Sequence, residues 1–485
     1  MKKIICIALS LVMLLGVPIT AIASGGSSAT YTYTYNIWGV PTPSPDAYRV
    51  SAFILGDDFD IGHFRNPRDL FIIDNLIYVV DTGNSRVVVL VANDDGSHEL
   101  VGVHYHATLD GAESTFNRPM GIFVSNWGEI WLADTYNQRI LHMDENWNVI
   151  NEILQPEASL LEGHMDFLPE KLAVDFTRRL FVQTRHVNRG LMEFDRYGEF
   201  AVYMGAAPVH VSMWNQIWRR IQTQEQRERV APFIPTEYNN VNIDHEGFLF
   251  VTNTNENVDS VRRLNVMGAD VLIRNGLFDI EGEVWWGNIP GISGPSQLID
   301  IAPLTNDTFI AFDYTRGRLF AYDFQGNLLF VFGGVGNREG FFIEPTALDS
   351  MGFTLFALDA WTGAITRFDL TEYGWAINRA LYLYRRGLYE ESAEYWEDVL
   401  RMNGNFGLAY VGIARSLLRQ GYYLEAMRLF ELEHDRIGYG RAFGFFRRQW
   451  MEEYFWIFAV ALGVVMIVPP VVKKILKVRR EIRES

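Results

Sequence analysis

Short apolar segments alternate with polar turns between residues 48 and 370, and this pattern repeats about every 50 residues. Each copy begins at a proline, continues through apolar segments, and includes a polar turn that contains Asp, Asn or Arg. The starting prolines are Pro67, Pro119, Pro169, Pro235, Pro295 and Pro345, which lie 52, 50, 66, 60 and 50 residues apart. Units of about 50 residues with four short strands are typical of propeller blades. Six copies therefore predict a mainly β fold, a six-bladed β-propeller over residues 48–371.

The sixth copy lacks its outer strand, because the pattern becomes helical directly after Leu370. Residues 48–56 lie just before the first copy. Their alternating apolar and polar residues predict a β-strand, and this strand belongs to none of the six copies. An open ring would leave strand edges without hydrogen-bond partners. We therefore expect residues 48–56 to pair with residues 363–370 and to close the ring.

The polar turns of the first two copies read Asp81-Thr-Gly-Asn84-Ser-Arg86 and Asp134-Thr-Tyr-Asn137-Gln-Arg139. They resemble the turns of the NHL-repeat family, whose propellers commonly have six blades; the match is partial in the other four copies. Short polar side chains in such turns bond the backbone of the turn itself. We interpret the Asp, Asn and Arg residues as structural and not as a binding site.

The longest gap between copies contains an insertion at about residues 208–232. Trp214, Ile217, Trp218 and Ile221 recur there at helical spacing, which predicts an amphipathic helix. This helix either packs on the rim of the propeller, covers the mouth of the pore or docks a partner.

From about Tyr373 the period of the apolar residues changes from 2 to 3.6. The segments Gly387-Leu-Tyr-Glu-Glu-Ser-Ala and Gly421-Tyr-Tyr-Leu-Glu-Ala-Met lie 34 residues apart. Their spacing and residue types resemble the tetratricopeptide repeat, which implies two helical hairpins over residues 372–436. A juxtamembrane segment, 437–453, follows.

Both ends of the chain predict export and anchoring. Residues 1–23 have the positive start, apolar core and Ala-x-Ala end of a signal peptide, and a flexible polar linker is expected over 24–47. Residues 454–472 are uncharged and long enough to cross a bilayer. Six basic residues in the tail, 473–485, favour a cytoplasmic C-terminus. The protein is therefore expected to be a single-pass membrane protein with most of its mass on the extracytoplasmic side.

Charge and cysteine content exclude several classes of function. Without the signal and the tail, 34 basic and 57 acidic residues remain, a net charge of −23. Such a surface repels nucleic acid but suits neutral sugars, cations or basic partners. The single cysteine, Cys6, lies in the signal, so the mature chain has no disulfide and no cysteine nucleophile.

Motifs for catalysis are missing from the sequence. It contains no glycine-rich phosphate loop, no His-Glu-x-x-His and no Gly-x-Ser-x-Gly. His104 and His106 share one face of an outer strand, where solvated histidines are the simpler interpretation. The spacing of Asp57, Asp58 and Asp60 is by itself weak evidence for a calcium-binding site. We predict no catalytic residue, no metal site and no cofactor.

Residues beside the starting prolines should approach the pore; they are Arg68, Met120, Glu170, Lys171, Asn239, Gln297 and Thr346. Their chemistry is mixed. Some six-bladed propellers are hydrolases or lyases, such as gluconolactonase-like enzymes, and in those the pore holds a divalent metal. No comparable carboxylate cluster is evident here. The candidate binding residues are therefore Arg68, Lys171 and Gln297 at the pore, together with Trp214 and Trp218 on the insertion.

The complete architecture resembles a group of membrane-anchored proteins of Firmicutes with an NHL propeller, a short tetratricopeptide-like segment and one C-terminal membrane helix. The segments beginning at Pro235 and Val261 are similar to that group. The resemblance implies an association with carbohydrate-type transporter components. The leading hypothesis is a binding or scaffold protein whose partner is a protein of the cell envelope or an extracellular glycan. The alternative is a metal-dependent hydrolase or lyase with its site in the pore.

Overall fold

A computed structural model describes residues 32–93, 95–156, 166–187, 189–205, 237–253, 259–284 and 293–484. Residues 1–23, expected to be a signal peptide, and the insertion with Trp214 and Trp218 lie outside these residues. Before the first blade come β1 (Tyr33–Tyr35), β2 (Pro41–Pro43) and β3 (Tyr48–Leu55). Blade one comprises β4 (Asp69–Ile73), β5 (Leu76–Asp81), β6 (Arg86–Ala92) and β7 (His98–His104), and the hairpin of β8 (His106–Leu109) and β9 (Ala112–Thr115) follows it.

The remaining blades repeat this meander. Blade two comprises β10 (Gly121–Val124), β11 (Ile130–Asp134), β12 (Arg139–Met143) and β13 (Val149–Ile153), and blade three β14 (Pro169–Val174), β15 (Leu180–Thr184), β16 (Leu191–Phe194) and β17 (Phe200–Met204). Blade four comprises β18 (Tyr238–Ile243), β19 (Leu249–Asn253) and β20 (Val261–Leu264). Blade five comprises β21 (Leu298–Pro303), β22 (Phe309–Asp313), β23 (Arg318–Tyr322) and β24 (Leu328–Gly333), and blade six β25 (Pro345–Met351), β26 (Thr354–Asp359) and β27 (Ala364–Leu370).

The six sheets form a closed ring, as the sequence predicts. Each inner strand contacts the inner strand of the next blade, including β25 with β4. Every blade is apolar on both faces, and six apolar clusters each combine residues of two neighbouring blades. This sharing explains why the blades need one another: a single twisted sheet has no second layer against which to bury its faces.

The predicted closing strand is confirmed. β3 pairs with β27 in an antiparallel ladder that runs from Tyr48↔Leu370 to Leu55↔Ala364. Ile54 is buried in the apolar cluster between blades six and one. The N-terminal strand therefore completes the last blade and covers its edge.

The Asp-Thr-x-Asn-x-Arg turns form hydrogen bonds within the turn and also to the neighbouring blade. The Asp81 carboxylate accepts hydrogen bonds from the Asn84 amide at 2.8 Å and from Arg86 Nε at 2.6 Å. The Thr82 hydroxyl donates to the carbonyl of Pro119, the first residue of the next copy, at 2.6 Å. Thr135 makes the equivalent bond to the carbonyl of Pro169. The turn is thus structural, and its threonine links successive blades.

The disc has two distinct faces. We call the face at which the inner strands begin and the second strands end the upper face, and the opposite face the lower face. The antiparallel ladders place the connections between blades on the upper face. β27 runs from the upper to the lower face, because it begins beside the end of β26, where Ala364 pairs with Asp359. The helices that follow Leu370 therefore begin at the lower face.

Part of the expected flexible linker is ordered, which corrects that prediction for residues 33–43. β1 and β2 form a hairpin, and β1 pairs with the outer strand of blade five at Tyr33↔Val331. The Tyr33 side chain is buried, and the hydroxyl of Tyr35 donates to Glu283 Oε1 at 3.2 Å. Alternating aromatic residues give this segment strand character that its Ser- and Thr-rich surroundings conceal.

Four helices form two hairpins: α1 (Glu372–Arg385) with α2 (Tyr389–Met402), and α3 (Gly407–Gln420) with α4 (Tyr423–Leu432). The N-cap of α1 is Thr371, whose side-chain oxygen accepts a hydrogen bond from the Gly374 amide at 3.2 Å. α1 packs on the lower face, where Asn378 accepts a buried hydrogen bond from Asn306 at 2.9 Å. The hairpins share one apolar cluster with blades five and six.

The last helix, α5 (Arg436–Glu484), has 49 residues and a length of about 73 Å at 1.5 Å per residue. By length and composition its stretch Arg436–Arg480 could cross a membrane. Its first turns pack on the second hairpin, where Ala442 joins a cluster with Phe430. One continuous helix therefore leads from the hairpins into the apolar segment.

Removal of the Ile54 side chain tests the closure. We expect Ile54→Ala to destabilise the protein by about 2–4 kcal/mol, because it opens a cavity between the first and last blades. Thermal unfolding of the detergent-purified protein, followed by circular dichroism, measures the effect. The matched control is Phe53→Ala, since Phe53 lies on the other, exposed face of β3. Equal losses in both variants would contradict a closing role for β3.

Candidate functional site

The inner strands of blades three to six each contain a β-bulge near their upper ends. The bulged residues, which have no partner opposite them in the second strand, are Glu170, Asn239, Ile299 and Thr346. A bulge turns a side chain away from the regular alternation of a strand. In these four blades the bulge shifts the pairing register of the residues that follow it, and sequence periodicity alone did not reveal this shift.

Lys171, which follows the first bulge, supplies a cation inside the pore. Its ammonium donates to the Asp69 carboxylate and to the carbonyl of Arg68 at 3.2 Å. The side chain of Lys171 is only 12% exposed and that of Asp69 only 9%. Burial by itself lowers the pKa of Lys171, but the carboxylates of Asp69 and Asp300 outweigh burial and raise the pKa.

The pore carboxylates hold successive blades together. Asp69 Oδ2 accepts from the Ile122 amide at 2.8 Å, which links blades one and two. Asp300 Oδ2 accepts from the Leu348 amide at 2.8 Å and links blades five and six. Asp349 Oδ2 accepts from the Ile72 amide at 2.6 Å and links blades six and one.

Burial also keeps part of this carboxylate set protonated. It raises the pKa of Asp300 to about 7 and that of Asp349 to about 8. A divalent cation needs several ionised oxygens with free lone pairs. Here backbone amides occupy the carboxylate oxygens, and the Lys171 ammonium already supplies the positive charge. These residues do not fit a metal-binding pore.

The remaining sequence-predicted pore residues surround the upper mouth. Arg68 pairs with Glu344 at 3.0 Å, across the boundary between blades one and six. The side chain of Gln297 is exposed, and its backbone N–H donates to Asp313 Oδ1 at 2.8 Å. The structure thus joins Arg68 to Lys171 through a backbone carbonyl and places Gln297 on the rim. Trp214 and Trp218 lie outside the described residues.

A group of possible metal ligands lies at the lower face, in the part of the chain that the structure describes. His245, Glu246 and Asp307 have ligand atoms within 4.8 Å of one another. Both carboxylates already have cationic partners, however: Arg263 bonds Glu246 at 2.6 Å, and Arg385 of α1 bonds Asp307. We interpret this group as an ion-pair network that fastens α1 to the propeller.

A large groove, which sequence analysis missed, lies between the propeller and the helices. Its cavity volume is about 1660 Å³. The propeller side consists of the β1–β2 hairpin, the segment 274–278 and the turn at Gln325. The helical side consists of α3, the α4–α5 turn and the first turns of α5. We call this cavity the helix groove.

Aromatic rings from both sides line the helix groove. On the propeller side, Tyr35 contacts Phe278 with ring centres 5.4 Å apart. Trp38, which is 75% exposed, reaches from the hairpin turn towards the α4–α5 turn. On the helical side, Tyr423 stacks with Phe445 at 5.7 Å. Exposed aromatic surface in a cavity can bury against a ligand.

The charge of the helix groove differs from that of the protein as a whole. Its lining contains five arginines but only two acidic residues, Glu433 and Asp435. Asp435 caps α5 by accepting from the Gly438 amide at 2.8 Å, and burial raises the pKa of Glu433. The groove is therefore locally basic within a strongly acidic chain.

Three of the five arginines have no protein partner among the described residues. Arg274 forms an ion pair with Asp270 at 2.7 Å, and Arg415 donates to Gln325 at 2.5 Å. Arg419, Arg436 and Arg441 are exposed, and none forms an ion pair or hydrogen bond within the described part of the chain. Their guanidinium groups are free to bind a ligand.

The pore carboxylates predict a pH-dependent stability. The pKa of Asp349 is about 8 in the folded protein and about 3.9 when unfolded. Between these values the folded protein binds more protons, so stability falls as the pH rises. Asp349→Asn abolishes this titration and retains an oxygen that can accept from Ile72. Relative to wild type, its melting temperature should therefore rise by a few degrees from about pH 5 to about pH 9.

Thermal unfolding at several pH values measures this difference. Asp60→Asn is the matched control, since Asp60 is exposed at the surface. A melting-temperature difference between Asp349→Asn and wild type that stays constant with pH would show that Asp349 does not carry a proton in the folded protein.

Neither a protein-family model nor a curated protein matches this chain. Several solved structures are similar to it at low identity. Virginiamycin B lyase from Staphylococcus aureus is 10% identical over 67% of this chain and 100% of its own, with a TM-score of 0.41. A putative gluconolactonase is 12% identical over 71% and 98%, with a TM-score of 0.40. The U3-55K protein is 11% identical over 68% and 100%, with a TM-score of 0.40. Similarity at this level extends no activity to this chain.

Proposed function

We propose that this protein is a membrane-anchored extracytoplasmic binding or scaffold protein, which holds an extended segment of a partner protein in the helix groove. The helix groove carries this proposal. It is open, contains exposed aromatic rings and holds three arginines that have no partner among the residues that the structure describes. The pore carboxylates of Asp69, Asp300 and Asp349, by contrast, already accept hydrogen bonds from backbone amides, and Asp69 also pairs with Lys171.

The proposed anchor is the apolar part of α5, and the distribution of basic residues supports its proposed orientation. The apolar part of α5 spans the bilayer, and the six basic residues behind it remain in the cytoplasm. The signal peptide exports everything before the anchor. The propeller and the helix groove therefore stand on the outer side of the membrane.

The continuous α5 helix holds the groove near the membrane. Arg436, in the wall of the groove, lies 18 residues before Tyr454, where the uncharged segment begins. At 1.5 Å per residue this separation is about 27 Å along the helix. A rigid helix of this length presents the groove to partners at the outer membrane surface, such as the outer parts of a membrane protein.

The alternative from the sequence, a metal-dependent hydrolase or lyase, has less support. Its site would lie in the pore, where the Lys171 ammonium is placed among the carboxylates that a metal would require. We therefore favour binding over catalysis.

A display selection tests the proposed function. Twelve-residue random peptides are selected on the full-length protein in lipid nanodiscs, and binding is measured by fluorescence anisotropy. We expect Trp38→Ala to weaken the selected peptides at least about tenfold, because loss of one aromatic contact of about 1.4 kcal/mol has that effect. Trp38 is exposed, so its removal should leave the fold intact.

Trp361→Ala is the matched control, since Trp361 is 70% exposed at the upper face. Peptides that tolerate Trp38→Ala but lose affinity with Trp361→Ala would move the binding site to the upper face and contradict the proposal. A selection without any peptide that depends on Trp38 would contradict it as well.

A further inference from the structure

We infer that the partner segment in the helix groove is an extended strand in which acidic and apolar residues alternate. This inference rests on the proposed function and specifies the chemistry of the ligand. It follows from the unequal chemistry of the two sides of the groove: aromatic rings line both sides, but the arginines without a partner among the described residues lie on the helical side alone.

The three arginines without a partner among the described residues, Arg419, Arg436 and Arg441, all belong to the helical side. Arg415 and Arg419 are one turn apart on α3 and therefore share a face of that helix. Arg436 and Arg441 lie on the first turns of α5, which contacts α3. Arginine binds carboxylates through paired N–H groups, so this wall suits a row of acidic side chains.

The propeller side offers apolar surface instead. Tyr35, Trp38 and Phe278 belong to this wall, as does Leu277, which is 65% exposed. In an extended strand successive side chains point to opposite sides. A strand lying between the two walls would therefore direct every second residue to the arginines and the others to the aromatic rings.

The charge balance of the whole chain strengthens this inference. The region between signal and tail carries a net charge of −23, so an acidic partner is repelled by most of the surface. The helix groove, lined by five arginines and two acidic residues, is locally basic. Electrostatic attraction between an acidic segment and this one groove determines mainly where the segment binds, and it contributes less to the affinity itself.

Anionic lipid headgroups are a less suitable ligand for these arginines. Arg441 lies 13 residues before Tyr454, which corresponds to about 20 Å along the helix. Arg447 and Arg448 are the basic residues closer to the bilayer, and neither lines the helix groove. The distance therefore favours a protein segment over lipid.

Defined peptides test the inference on the full-length protein in nanodiscs. The probe is a fluorescein-labelled peptide with three repeats of Glu-Leu-Glu-Tyr, and its neutral counterpart has Gln in place of Glu. A third peptide has the composition of the probe, with all Glu residues placed before all apolar residues. We expect the alternating acidic probe to bind at least about tenfold more tightly than either counterpart, with affinity that falls as salt increases.

Charge-removing variants locate the effect. The triple variant Arg419→Gln, Arg436→Gln and Arg441→Gln should reduce binding of the acidic probe at least about tenfold and leave the neutral peptide unchanged. The control triple variant is Arg65→Gln, Arg118→Gln and Arg338→Gln, which removes the same charge from exposed arginines at the upper face. It should leave binding unchanged.

The outcomes separate the inference from the proposed function. If selected peptides depend on Trp38 but bind equally well with or without acidic residues, the inference about an acidic segment is wrong. The proposed binding function would still hold in that case. Failure of the acidic probe while such peptides bind would likewise overturn the inference. Displacement of the probe by phosphatidylglycerol vesicles would assign the arginines to lipid and overturn the inference. If no peptide binds through the groove, the proposed function fails.

Discussion

Closure of the ring by β3 is the interaction on which the rest of the structure depends. Each apolar cluster of the propeller combines two blades, so one face of the first blade and one face of the last stay unburied until these two blades meet. The same strand begins the docking of the helices. The carbonyl of Ala47 accepts from the Thr371 amide at 3.0 Å, and Tyr48 shares an apolar cluster with Tyr373 of α1. A chain that did not close would lose both the disc and the position of the helices beneath it.

The radial arrangement also explains the polar pore. Six inner strands converge on one axis, and Asp69, Asp300 and Asp349 on three of them accept from amide groups of the next blade that would otherwise be buried without partners. Burying several carboxylates together is unfavourable, which is why the pKa values of Asp300 and Asp349 are raised. Lys171 offsets part of this repulsion. The pore thus resembles a catalytic site in composition, but its groups are engaged in holding the blades together.

The helix groove forms only where the propeller and the helices pack together, because each of them supplies one of its two walls. A propeller without the hairpins would leave Tyr35, Trp38 and Phe278 on an open rim, and the hairpins without the propeller would leave their arginines on an open helical face. Because α5 continues from the groove into the apolar stretch that could cross a membrane, the groove wall and the candidate anchor belong to one helix. This continuity connects the proposed anchor to the proposed role in holding a partner segment.

The sequence by itself determined the features that depend on neighbouring residues. The proline starts, the Asp-Thr-x-Asn-x-Arg turns, the helical period after Tyr373 and the apolar run near the C-terminus are all local patterns, so strands, turns, blade number and the closing strand could be predicted. Tertiary structure alone decided the rest. Lys171 meets Asp69 across 102 residues of sequence, bulges that no periodicity records set the pore register, and the groove joins β1, blade five and α5. Such contacts depend on the angles between blades and on where the helices dock, and these are fixed by packing over the whole ring.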